Sequence, residues 1–172
     1  AGRERVENSL AEKYGIWPVV PVEAGLVTSL SADRHGSGTV WRDDSPARHD
    51  ATLTAACEMP VLHQVSDYRG RDFPVMRFNG ACGMDLPVNL QGAFTVMLVD
   101  RYWEGGTARG RTLQGRTDNW LLGKHYTNNG YHAQGKWVAG TSPATVGAFS
   151  LNTATLTAGG RAEWYLDGRH QG

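Results

Sequence analysis

The sequence predicts an all-β sandwich preceded by one short helix. Three observations lead there. Glycine and proline number 22 and 7 among 172 residues, and the glycine share is roughly twice the usual ~7%, as tight turns between short strands require. Turn-forming pairs such as Asn79-Gly80, Asn129-Gly130 and Asp167-Gly168 punctuate the chain from Val19 onward, and these tolerate the positive φ of hairpin turns. Between them lie short apolar or alternating runs of strand length.

The helix comes first. Val6, Leu10 and Tyr14 fall on one face, with Glu4, Glu7, Glu12 and Lys13 on the others. Acidic residues suit its N-terminal end and Lys13 its last turn, Gly15 offers a left-handed cap, and Pro18 stops it. Residues 1–17 are therefore expected as a helix, 18–24 with two prolines as a linker, and 25–172 as one β domain. Strands are expected over Leu26–Ala32, Thr39–Trp41, Val75–Phe78, Phe94–Asp100, Arg111–Arg116, Trp120–His125, Gly130–Val138, Phe149–Thr157 and Arg161–Leu166. In the last, Ala162, Trp164 and Leu166 alternate with Glu163, Tyr165 and Asp167, giving one dry and one wetter face.

Composition narrows the function classes. Seventeen basic residues balance seventeen acidic ones, so no net field draws the chain to nucleic acid or an anionic membrane. The longest apolar runs, such as Phe94–Val99, fall short of the ~20 residues of a membrane helix. No basic-then-apolar leader opens the chain, so a secretory signal is expected either to have been removed or to lie upstream in a longer precursor. Cys57 and Cys82 close one disulfide if the fold brings their Cα atoms within about 7 Å, and otherwise are two small buried thiols.

Several phrases, in order, resemble the laminin-G-like jelly-roll modules of the concanavalin A-like lectin/glucanase superfamily. Leu30-Ser31-Ala32-Asp33 followed by Thr39-Val40-Trp41-Arg42-Asp43-Asp44-Ser45 looks like the opening strand pair with its W-x-D-x-S phrase. Pro74–Gly80, Phe94–Val99, Asn119-Trp120-Leu121-Leu122-Gly123 and Ala162–Gly168 resemble later strands of such modules. The resemblance covers most of residues 25–168 and implies a two-sheet antiparallel jelly roll, extracellular or at the cell surface. Arg3–Gly15 is similar to the helix that closes such a module, yet here it precedes the first strand. Either the module is circularly permuted, or the chain is cut from a tandem array. The second is the expectation, since a permuted module would still lack the late strands. It implies partners that are neighbouring modules or copies in a head-to-tail assembly.

Catalytic patterns are sparse. The glucanases of this superfamily carry an E-x-D-x-x-E phrase that the chain lacks. A retaining glycosidase needs carboxyl groups about 5 to 5.5 Å apart, whereas Glu163 and Asp167 on one strand would lie about 13 Å apart at ~3.3 Å per residue. The six histidines include no H-E-x-x-H phrase, the cysteines no C-x-x-C, and the serines no G-x-S-x-G elbow. Asp43, Asp44 and Asp50 offer oxygen ligands for calcium in a presumed loop, though the resemblance makes Asp43-Asp44-Ser45 a local hydrogen-bonding turn instead. For sugar recognition, exposed aromatics and amides are wanted. Trp103 and the cluster Tyr126, Asn128, Asn129, Tyr131 and His132 supply them, with a polar hairpin tip and packed tyrosine as the plainer reading. Trp41, Trp120, Trp137 and Trp164 are expected in the core. The functional expectation is a non-catalytic structural or adhesive module without cofactor, with a glycan-binding lectin-like domain and then a glycoside hydrolase as alternatives.

Overall fold

A computed structural model describes residues 25–34, 38–54, 58–66, 70, 72–80, 82–104, 110–133 and 135–172. They are all-β, with four antiparallel sheets. The expected helix over 1–17 and linker over 18–24 lie outside the described residues. Among those described, the one helical segment is a 3-10 turn at Ala32–Arg34, and no helix is long and apolar enough to cross a membrane. The chain divides into two compact units, Ala1–Val88 and Asn89–Gly172. That boundary falls within the stretch 25–172 expected as one domain.

In the first unit, β1 (Val40–Trp41), β2 (Ala51–Leu53) and β5 (Met84–Asp85) form one sheet in the order β1-β2-β5, while β3 (Val61–Ser66) pairs with β4 (Asp72–Arg77). The expected strand Leu26–Ala32 is reduced to a single bridge, Leu30 to Asp43, before the 3-10 turn. The reason lies in Asp43. Its side chain, fully buried, accepts hydrogen bonds from the backbone N–H of Ser29 (2.7 Å), Ser45 (2.9 Å) and His49 (2.7 Å) and from the Ser45 hydroxyl (2.6 Å). The Trp41 indole N–H donates to the Ser31 carbonyl at 2.9 Å. The W-x-D-x-S phrase is thus a physical unit that gathers the backbone at Ser29, Ser45 and His49 around one carboxylate. Burial by itself would raise the Asp43 carboxyl. The Ser45 hydroxyl, then the three N–H donors, outweigh it and hold the group at about 2, below the ordinary 3.8.

The second unit is sandwich-like. One sheet has the order β10-β9-β8-β7, from β7 (Leu113–Gln114), β8 (Leu121–His125), β9 (Asn128–Ala133) and β10 (Lys136–Pro143). The other is β13-β12-β11-β6, from β6 (Phe94–Asp100), β11 (Ser150–Leu156), β12 (Ala162–Leu166) and β13 (Arg169–His170). Leu122, Tyr131 and Ala133 from the first sheet meet Ala154 and Trp164 from the second in the core, with Val96, Leu98, Trp120 and Leu166 packed around them. Trp164 is buried as expected, whereas Trp41, Trp120 and Trp137 are half-buried. Asp167 (φ 50°) and Gly168 (φ 75°) turn β12 into β13, two successive positive-φ residues as a type I′ hairpin requires.

Two expectations fail in this unit. The single strand Gly130–Val138 is instead the junction of a hairpin, with β9 ending at Ala133 and Gly135 (φ 79°) in the turn. Asn129-Gly130, expected as a turn, lies inside β9, and the β8–β9 turn is at Tyr126-Thr127 with Tyr126 at φ 51°. Gly130 serves packing. A Cβ there would stand 2.6 Å from the Trp137 ring, so only glycine lets that indole lie across the sheet.

Candidate functional site

The strand periodicity of the second unit turns five polar side chains into its interior. On β6, Val96 and Leu98 face the core, and Asp100 continues their row. On β8, Lys124 follows Leu122, and it pairs directly across the ladder with Asn129 of β9. On β11, Ser150 and Asn152 precede Ala154. All five are buried, Lys124 and Asn152 completely, and a lysine is almost never found so unless it is paired.

Asp100 and Lys124 organise the group. Lys124 Nζ donates to Asn129 Oδ1 at 2.7 Å and to the Ser150 hydroxyl oxygen at 3.0 Å, and lies 3.5 Å from Asp100 Oδ1. Asp100 Oδ2 accepts from the Thr112 hydroxyl (2.5 Å) and the Lys124 backbone N–H (3.2 Å), and Oδ1 accepts from Asn152 Nδ2 (3.3 Å). Asn152 in turn accepts the Trp164 indole N–H at 3.2 Å, tying the polar group to the apolar core. Gly123 makes the approach of Asp100 possible. It sits at φ 94°, and a Cβ there would be 2.7 Å from Asp100 Oδ2. The Tyr102 ring lies 5.9 Å from Nζ, and its hydroxyl is pushed up to about 12 by burial and then by the Asp100 charge.

The residues singled out for sugar binding are separated by the same alternation. Asn129 and Tyr131 point inward, the first to Lys124 and the second into the core, edge-on to Trp120 with ring centroids 5.9 Å apart. Burial raises the Tyr131 hydroxyl above its ordinary value. Tyr126 is exposed at the turn, and half-buried Asn128 and His132 share the opposite face of β9. There the His125, Tyr126, His132 and Trp137 rings form a cluster, with His125–Tyr126, His132–Trp137 and His125–Trp137 centroids 4.4, 5.3 and 5.7 Å apart. His125 titrates below its ordinary value because of burial, then Arg111 and His132. Trp103 stands apart from this cluster in sequence, partly exposed, with the Arg101 guanidinium 5.7 Å over its ring.

The calcium candidates meet protein donors instead. The N–H and O–H groups around Asp43 use the lone pairs a cation would need. Asp50 accepts the Asp43 backbone N–H at 2.9 Å, and Asp44 is 3.9 Å from Arg34. Among the described residues no group of three or more His, Cys, Asp or Glu could hold a metal ion. Glu163 accepts the Tyr165 hydroxyl and pairs with Arg161, both at 3.1 Å, while Asp167 accepts the Leu151 N–H at 2.8 Å. Cys57 lies outside the described residues, and no described cysteine is free.

The sequence reading missed Asp100, Lys124, Ser150 and Asn152. A signal was available: each stands at the same parity as the apolar residues of its strand, and a charge on the dry face of a strand must find a partner. No family model matches the chain, and the searches of curated proteins and of solved structures give no match either.

Proposed function

We propose that the chain is a non-catalytic structural or adhesive module of the laminin-G-like jelly-roll type, belonging to a larger extracellular or cell-surface assembly built from neighbouring modules or copies. One observation carries this reading. On the outer face of the sheet β13-β12-β11-β6, Met97 and Val99 are 71% and 64% exposed, and Leu151, paired directly with Val99, is 37% exposed. The row lies along β6, an edge strand of that sheet whose seven residues carry no charge before Asp100. Exposed apolar rows on uncharged edge strands favour association with another chain. A second copy meets no opposing net charge, because the chain is neutral.

Sedimentation of residues 1–172 over a wide concentration range tests it. The expected result is concentration-dependent association, reduced by the double substitution Met97→Lys and Val99→Lys. A cooperative, stable monomer at every concentration, with its β6 amides protected from exchange, would overturn the array reading.

Glycan binding is the second reading, favoured by the exposed Tyr126 ring against His125, which in turn meets the Trp137 indole. Affinity on an immobilised glycan panel, lost in Tyr126→Ala, would support it, and binding unaffected by that change would count against it. Reproducible turnover of a β-glucan by the purified chain would refute the non-catalytic assignment.

A further inference from the structure

The lysine at the centre of the second unit is seated on an amide more closely than on its counter-charge. Lys124 Nζ is 2.7 Å from Asn129 Oδ1 but 3.5 Å from Asp100 Oδ1, and a charge-assisted N–H···O bond is normally ~2.7–2.9 Å. The amine therefore contacts the oxygen bonded to the Asn129 carbonyl carbon, with a carboxylate 3.5 Å away able to take a proton. Nucleophile, electrophile and proton acceptor are all buried, so water neither competes as nucleophile nor hydrolyses a product.

We propose that Lys124 and Asn129 condense into an intramolecular amide bond, with Asp100 as the catalytic proton carrier, so that the second unit is a covalently cross-linked modification site independent of the function proposed above. The ammonium of Lys124 passes a proton to the Asp100 carboxylate. The freed lone pair attacks Asn129 Cγ, the Nζ–Cγ bond forms, and the second Nζ proton reaches Nδ2 through Asp100. The Cγ–Nδ2 bond then breaks and ammonia leaves. An ion pair and a primary amide become a secondary amide, a neutral Asp100 and one ammonia, so atoms and charge balance without any oxidant or co-reactant.

Three features of the site favour the step. Asp100 is fixed by Thr112, Asn152 and the Lys124 backbone N–H, and so is held toward Nζ. Among the described residues the leaving nitrogen, Asn129 Nδ2, is retained only by a 3.5 Å contact to the Pro143 carbonyl. Condensation also removes two charges from the interior, where each carries a desolvation penalty that their mutual attraction offsets only in part.

The test is the mass of the purified full chain after reduction and denaturation, followed by tryptic mapping. The expected chain is lighter than its sequence by one ammonia, and trypsin fails to cut after Lys124, leaving residues 117–136 as one peptide that carries the deficit. Asp100→Asn is expected to restore the full mass and the cut. A wild-type chain at full mass overturns the proposal. So does a deficit with Lys124 still cleaved, which would mark a succinimide at Asn129-Gly130 instead. A cross-link that persists in Asp100→Asn overturns the role given to that carboxylate.

Discussion

Replacing Asp43 by asparagine keeps the shape of the side chain and removes both its charge and half of its acceptor capacity. A carboxyl held at about 2 in the folded chain against 3.8 in the open one stabilises the fold by about 2 kcal/mol at neutral pH, at ~1.4 kcal/mol for each tenfold change in proton affinity. Because the folded value is depressed, that contribution is complete above the unfolded value, from about pH 5 upward, and disappears as the pH falls toward about 2. In Asp43→Asn, one oxygen can still accept from Ser29 and Ser45, but the new amide N–H₂ faces the donors that Oδ2 satisfied, the His49 N–H and the Ser45 hydroxyl. Leaving one buried donor unpaired costs ~1–3 kcal/mol, comparable to the charge effect and partly the same loss. The expected total is about 3 kcal/mol at pH 7, or a urea midpoint lower by about 1–2 M for a typical denaturant slope. Urea unfolding of the full chain followed by far-UV circular dichroism, at pH 7 and at pH 2.5, measures it. The gap between wild type and variant should be wide at pH 7 and mostly closed at pH 2.5. Equal midpoints at pH 7, or a gap that does not change with pH, would refute the assignment of Asp43 as the ionised centre of that turn.

Gly130→Ala should destabilise the chain by about 1–3 kcal/mol through overpacking, since the new methyl meets the Trp137 ring at 2.6 Å. Thermal unfolding of Trp137→Ala with and without Gly130→Ala should show the glycine penalty largely gone once the indole is removed. The Tyr165 hydroxyl titrates above its ordinary value chiefly because it is hydrogen-bonded to Glu163, so Glu163→Gln should move its ultraviolet-monitored titration back toward that value. Non-reducing peptide mapping should find Cys57 joined to Cys82, a closed loop of about 25 residues contributing about 3 kcal/mol in the loop-entropy description, and two free thiols would refute it.

Where the determining contacts are local, the amino-acid sequence was sufficient. The all-β class followed from turn residues and short alternating runs, and Asp167-Gly168 formed the turn expected because both residues accept positive φ with little help from elsewhere. The Asp43-Asp44-Ser45 turn that the resemblance implied is hydrogen-bonded, and Asp43 and its donors Ser45 and His49 are close in sequence. β2, β3 and β5 carry weaker signals: β2 and β5 are only three and two residues long, and β3 mixes His63 and Gln64 into its run. Their pairing across the sheet, not their composition, makes them strands.

The interior of the second unit was decided by tertiary structure. Asn129-Gly130 has the composition of a turn, yet register with Lys124 and Gly123 makes it the middle of a strand, and the room a glycine leaves is taken by Trp137. Asp100 and Asn152 are 52 residues apart and Lys124 and Ser150 are 26 apart, so no local preference relates them. Periodicity in each strand fixes which side chains turn inward. Which inward lysine meets which carboxylate, and which amide stands between them, depends on the order and register of strands from two sheets, a long-range property that only the folded chain possesses.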